Sequence, residues 1–202
     1  MVEALTTEVV REAIRRLAAH MESCAEELSA LDAALGDGDL GVTLVRGLRS
    51  VAGQADRLPP DVGAALLQCA KAFVSISGST FGTLLATGLM SVGKALQGRA
   101  EAVWQETPDL LAGALEAMQR RGKAALGDKT VLDAVAATLD ALRGVASAEA
   151  MLPAARQATE AALARLHSQP ARQGRARMFG ERSTGKDDPG MVAWLRLLEG
   201  LG

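Results

Sequence analysis

The sequence predicts an all-α protein, an eight-helix antiparallel up-and-down barrel or closed bundle forming one domain over residues 1–202. Alanine and leucine dominate, tyrosine is absent and β-branched residues are scattered, a composition that favours helix over strand. Apolar residues recur at three- and four-residue steps along most of the chain. Corners containing glycine or proline interrupt that pattern at short intervals, so consecutive helices must turn back on one another. No strand-turn-helix unit occurs, which argues against a doubly wound nucleotide-binding sheet.

The first helix starts after Thr6 or Thr7 and places Val10, Ile14, Leu17, Met21, Cys24 and Leu28 on one buried stripe. It ends near Leu35-Gly36, where glycine tolerates the reversal. A second helix runs from about Gly41 to Gln54. Pro59-Pro60 marks the next boundary, and Asp61 to about Ser75 reads as the third. The corner from Ser75 to Thr80 separates it from a fourth helix reaching about Leu96. Thr107 followed by Pro108 opens the fifth, which stops near Gly122. Thr130 caps the sixth, with Asp133 three residues on as in a capping box. Glu149 to Leu166 supplies the seventh. Ser168 to Gly185, rich in arginine, glycine and polar groups, reads as a long loop, and Asp188-Pro189 then opens a last helix carrying Met191, Trp194, Leu195 and Leu198.

Hydrophobic residues make up 49% of the chain and charged ones 23%, with a formal net charge of -2. That balance gives no electrostatic reason to expect nucleic acid or an anionic membrane as partner. The basic clusters Arg15-Arg16 and Arg172 to Arg177 are short and read as solvated faces. Cys24 and Cys69 lie in apolar helical patterns and read as reduced core residues. Glu3, Glu8, Arg11 and Glu12 interrupt any signal-like apolar run, and no uncharged stretch has the length of a membrane span. The expected compartment is the cytoplasm.

Three aspartates crowd the run Leu31-Asp32-Ala33-Ala34-Leu35-Gly36-Asp37-Gly38-Asp39-Leu40-Gly41. Asp32 stands about a turn before the helix end, and Asp37 and Asp39 stand in the reversal, where the glycines let the backbone fold back. Carboxylates this close repel one another unless a cation sits among them, and magnesium prefers such hard oxygen ligands. The competing reading is that Asp37 and Asp39 form local turns and cap the second helix. The missing ligand series excludes an EF-hand.

Further corners share one chemistry: Thr43 at the opening of the second helix, Ser77-Gly78-Ser79-Thr80 before the fourth, Gly127-Asp128-Lys129-Thr130 before the sixth, and Asp188-Pro189-Gly190 at the last. Free N–H groups and hydroxyls at helix starts bind phosphate, although each corner taken singly also reads as an ordinary cap. Neither a Walker lysine motif nor a protein-kinase catalytic sequence is present. No residue stands out as a hydroxyl-deprotonating base or covalent nucleophile, and His20 and His167 read as surface or packing residues.

With Leu31 to Gly41, Ser77 to Thr80, Gly127-Asp128-Lys129-Thr130-Val131-Leu132-Asp133 and Gly180 to Gly190 in this order, the chain resembles the dihydroxyacetone kinase L-subunit family, also called the DAK2 or DhaL domain. The resemblance implies a barrel of eight antiparallel helices with a nucleotide, ADP or ATP, and two Mg2+ ions at one end. It implies Asp32, Asp37 and Asp39 as metal ligands, with Thr43, Ser79 and Thr80 around the phosphates and Gly127, Asp128 and Thr130 lining the nucleotide pocket. Asp188 and Gly190 would close the site from the C-terminal side, Arg177 would approach it from the arginine-rich loop, and Leu132 would pack near the base. It further implies a glycerone kinase component working with a separate DhaK-like substrate-binding subunit. The donor is either ATP or a retained ADP recharged by a DhaM-like phosphotransferase-system protein. Two departures stand out: Leu40 where many relatives carry histidine, and the corner Ile76-Ser77-Gly78-Ser79-Thr80 in place of a commoner double-glycine form. They leave open a kinase subunit for another small ketose or polyol, and a nucleotide-responsive regulatory protein without turnover.

Overall fold

A computed structural model describes residues 4–76 and 78–202; Ser77, one hydroxyl of the third corner, lies outside the described residues. The described chain is a bundle of α-helices: α1 (Thr7–Leu35), α2 (Leu40–Ala52), α3 (Val62–Val74), α4 (Thr80–Ala95), α5 (Thr107–Gly122), α6 (Val131–Leu142), α7 (Ala148–His167) and α8 (Pro189–Glu199). Most of them start at a side-chain cap. Asp61, Ser79, Thr130, Ser147 and Asp188 accept a backbone N–H from the first turn of α3, α4, α6, α7 and α8. Thr130 and Asp133 complete the capping box expected of α6.

Each helix packs on its successor along the chain, and α8 returns to lie against both α1 and α6. The expected stripe of α1 is the face that this arrangement buries: Val10, Ile14, Met21, Cys24 and Leu28 are buried, and partly buried Leu17 packs against them. Burial of a side chain such as Leu28 contributes about 1.5–3 kcal/mol. Within the bundle lies a cavity of about 330 Å³ walled by apolar side chains, among them Ile14, Leu66, Phe73, Leu89, Met118 and Trp194. Cys24 and Cys69 are buried and unbridged. Among the described residues no helix is long and apolar enough to cross a membrane.

Three features depart from the expected pattern. A short antiparallel pair, β1 (Ala4–Thr6) with β2 (Glu101–Val103), sets Ala4 opposite Val103. Three residues per strand are too few to leave a periodic signal. The segment from Ser168, expected as a long loop, instead contains a 3-10 helix over Ala176–Ser183, kinked at Gly180 with φ 50° and ψ -127°. Its ends are pinned, since Gly185 N–H donates to the His167 carbonyl at 2.9 Å and Arg172 N–H to the Asp128 carbonyl at 3.0 Å. This segment, residues 168–187, is a strap laid between α7 and α8. Further 3-10 turns occupy Ala55–Arg57 and Trp104–Glu106, so the helical segments exceed the expected eight.

Candidate nucleotide and metal site

The reversal between α1 and α2 is built for crowding. Gly38 takes a left-handed φ of 77°, and Gly41 opens α2 so close to α1 that a Cβ there would overlap the Ala25 carbonyl and stand 2.7 Å from Ser29 Oγ. That closeness brings one carboxylate oxygen from each of Asp32, Asp37 and Asp39 within 4.8 Å of the others. Asp32 Oδ2 accepts the Leu40 N–H at 3.3 Å, which fastens the start of α2 to the last turn of α1. Asp39 occupies the N-cap position of α2 yet makes no side-chain cap bond. Its carboxylate is therefore not consumed by the ordinary capping that competed as an explanation. Burial first, and then the charges of Asp37 and Asp39, hold the Asp32 carboxyl above its usual range; amide hydrogen bonds from Leu40 and Asp39 oppose this. Three hard oxygen donors in one spot, each at odds with its neighbours' charge, fit a magnesium ion.

The triad opens into a cleft of about 230 Å³. Ser79, Thr80, Thr130, Asp188 and Gly190 line it, so helix starts widely separated in sequence face one space. Leu35, Phe81, Leu84, Val131 and Leu132 give it an apolar wall. A hard-ligand corner beside hydroxyls and an apolar wall can take a molecule with phosphates at one end and a flat base at the other.

The remaining expected residues fall outside the lining. Thr43 stands one turn into α2, where its N–H donates to the Asp39 carbonyl at 2.9 Å. Gly127 has φ 91°, and its N–H donates to Asp133 Oδ1 at 2.5 Å. Asp128 turns its carboxylate back to the Ala125 N–H at 2.8 Å. Thr130 reaches the cleft from the same corner while its N–H donates to Asp133 Oδ2 at 2.9 Å. Arg177 is exposed on the strap; Arg175, two residues earlier, lines the cleft and pairs with Asp37. Gln173 and Gly174 also line it. The alternation Gly174-Arg175-Ala176-Arg177 offers two equivalent arginines, and only the 3-10 geometry that buries Ala176 decides which one faces inward.

Asp188 on the cleft wall stands in a charged cluster with the buried Lys129 and Asp133. Burial pushes the Asp188 carboxyl up to about 7, against amide hydrogen bonds from Met191 and Gly190 and the positive charge of Lys129, with Asp133 adding to the rise. Burial holds Lys129 below its usual range, while Asp188 and Asp187 act in the opposite direction. His167 Nδ1 pairs with Asp187 at 2.7 Å at the exposed edge of this cluster.

The family model described as the DAK2 domain matches residues 34–202. L-erythrulose 1-kinase of Mycolicibacterium smegmatis is 36% identical over 205 residues, covering 95% of this chain but 36% of that protein. The ADP-binding subunit DhaL of the PEP-dependent dihydroxyacetone kinase of Escherichia coli is 30% identical over 182 residues, covering 86% of this chain and 85% of that subunit. The crystal structure of the dihydroxyacetone kinase from C. freundii in complex with AMP-PNP and Mg2+ superposes with a TM-score of 0.73 at 25% identity, covering 100% of this chain and 34% of that one. The chain thus spans about a third of the longer kinases and most of the separate subunit.

Proposed function

The chain belongs to the DAK2 domain family, and from that membership we propose that it is the nucleotide-binding, magnesium-dependent phosphoryl-transfer component of a dihydroxyacetone-type kinase. The observation that carries this reading is the convergence of the Asp32, Asp37 and Asp39 oxygens within 4.8 Å at a cleft lined by Ser79, Thr80, Thr130 and Asp188. In this reading the helices close into an up-and-down barrel with the nucleotide, ADP or ATP, at one end. The three carboxylates would hold two Mg2+ ions, which neutralise phosphate charge and fix the phosphoryl oxygens for in-line transfer.

The other roles fall to this chain's own groups. Ser79, Thr80 and the start of α4 present donors to the phosphates, and Phe81 packs against the base. Arg175 reaches the phosphates from the strap, and Asp188 with Gly190 closes the far side. Thr43, Gly127, Asp128 and Arg177 act at one remove, through the backbone of the elements that carry the lining residues. The similarity to a separate ADP-binding subunit in E. coli supports a DhaK-like polypeptide as the one that binds and activates the substrate. The names of the relatives, dihydroxyacetone and erythrulose kinases, support a short hydroxyketone as that substrate. The PEP-dependent E. coli subunit supports a nucleotide kept bound and recharged by a DhaM-like phosphotransferase-system protein. A nucleotide released on denaturation of the purified protein and identified as ADP by mass would favour that version over consumption of ATP.

Isothermal titration with ADP and magnesium, on the wild type and on Asp37→Ala, tests the assignment. The wild type should bind with a strict metal requirement, and the variant should lose at least about tenfold in affinity. Indistinguishable binding by the two proteins overturns the metal role, and absence of any nucleotide binding by the wild type overturns the function.

A further inference from the structure

Lys129 is the largest fully buried side chain among the described residues, 1% exposed. Lysine is seldom buried without partners, and this one also sits at a left-handed φ of 62°, which strains any residue bearing a Cβ. Its Nζ donates to the carbonyl oxygens of Gln169 at 2.8 Å, His167 at 3.1 Å and Ser183 at 3.2 Å. An ammonium has three N–H donors, so none is left over.

The acceptors explain what the charge is for. His167 and Gln169 flank the entry of the strap and Ser183 stands near its exit, so one ammonium closes the segment on itself. Other bonds follow the same line: Ala171 N–H donates to Ser183 Oγ at 2.8 Å, and Ser183 Oγ–H donates to the Gly180 carbonyl at 2.5 Å. Arg172 N–H, donating to the Asp128 carbonyl, ties this ring to the loop that carries Lys129. Between the closed ends run Gln173, Gly174, Arg175 and Ala176, all lining the cleft. Two unfavourable features, a buried charge and a left-handed backbone, thus meet at the residue next to Thr130, which lines the cleft itself.

We propose that Lys129 is a positioning residue of the candidate site, an internal ammonium that closes the strap and thereby sets where Arg175 and the Gly174 backbone stand relative to Asp37. The inference rests on reading the cleft as a nucleotide and metal site. Lys129 touches no ligand in this scheme. It acts through the strap, as supporting groups must if the lining residues are to hold their geometry. The triad stands on α1 and the turn into α2, which the hydrogen bonds of Lys129 do not reach.

That separation gives the test. Lys129→Met keeps the chain length and removes the ammonium. Three measurements apply to it and to the wild type: ADP with Mg2+ by calorimetry, Mn2+ alone by electron paramagnetic resonance, and mapping of early tryptic cuts. ADP affinity should fall by about tenfold or more, while Mn2+ affinity stays within about threefold. Early cuts should move to Arg172, Arg175, Arg177 and Arg182. A folded variant with unchanged ADP affinity, or with ADP and Mn2+ affinities falling together, overturns the proposal. If Lys129→Met does not fold, Ser183→Ala decides, since it leaves the Ser183 carbonyl to Lys129 but removes the hydroxyl that ties the ring to Ala171 and Gly180, so that the ring loosens without stranding a charge. Weaker ADP binding with Mn2+ binding intact then supports the role, and unchanged ADP binding removes it. A wild type that binds Mn2+ but no ADP sinks the nucleotide reading itself, whereas wild-type ADP binding that both variants retain sinks only the role of Lys129.

Discussion

The Arg175 guanidinium forms an ion pair with the Asp37 carboxylate, joining the strap before α8 to the turn between α1 and α2. Both side chains are exposed, so the pair adds little to stability. Its interest lies in the competition it sets up, because a metal ion at the triad claims the same carboxylate. Arg175→Gln should therefore leave Mn2+ binding without nucleotide unchanged or slightly tighter. ADP binding should weaken by about tenfold, the usual effect of losing one charge-assisted hydrogen bond. Equal losses for both ligands would contradict this division of labour.

Metal binding should weaken on acidification sooner than at a lone aspartate site. Burial and the neighbouring Asp37 and Asp39 charges raise the Asp32 carboxyl, so protons compete with the cation at a higher pH than usual. Affinity falls as pH drops through that raised value and levels off above it. Mn2+ titrations at a series of pH values on the wild type and Asp32→Asn would show it, the variant binding more weakly but with a flatter profile.

Asp188 should impose an alkaline penalty on the stability of the metal-free protein. Its carboxyl stands at about 7 in the folded chain against 3.8 for an ordinary aspartate, so between those values the folded state holds a proton that the unfolded state has lost. Stability contributed by the protonated form is complete below the lower value and is lost as pH rises toward the upper one. Asp188→Asn keeps an N-cap acceptor for the Met191 N–H and removes the charge. Urea midpoints at pH 5 and pH 8 should differ less in the variant than in the wild type.

Gly41→Ala should destabilise the fold by about 1–3 kcal/mol, the usual range for forcing atoms into a close-packed contact. The atom that a new methyl meets is the Ala25 carbonyl of α1, and backbone cannot swing aside as a long side chain can. Urea unfolding measures the loss. Mn2+ affinity should drop in the same variant, because the spacing of α1 and α2 sets the distance from Asp32 to Asp39.

Helix positions were legible wherever a local rule decides them. The stripe from Val10 to Leu28 follows helical periodicity, and Thr130 with Asp133 forms the box that their spacing implies. The crowding of the triad was legible because the glycines around it permit the tight reversal that brings the carboxylates together. The strap was not. Its order comes from Lys129, whose partners are carbonyls some 40 and more residues away and carry no side-chain signature. The choice of Arg175 rather than Arg177 follows the 3-10 geometry that buries Ala176, which leaves no mark in the sequence. Sequence likewise could not show that Asp133 takes up the Gly127 amide, which leaves Thr130 as the member of its corner that reaches the cleft.

The cleft draws one flank from residues 32–40 and the other from residues 173–190. A molecule seated there acts as a drawstring between distant stretches of the polypeptide, and the helices cannot part without releasing it. Saturating ligand should then slow hydrogen exchange throughout the bundle, far from any atom it touches, by the free energy that mass action assigns to its concentration over its dissociation constant.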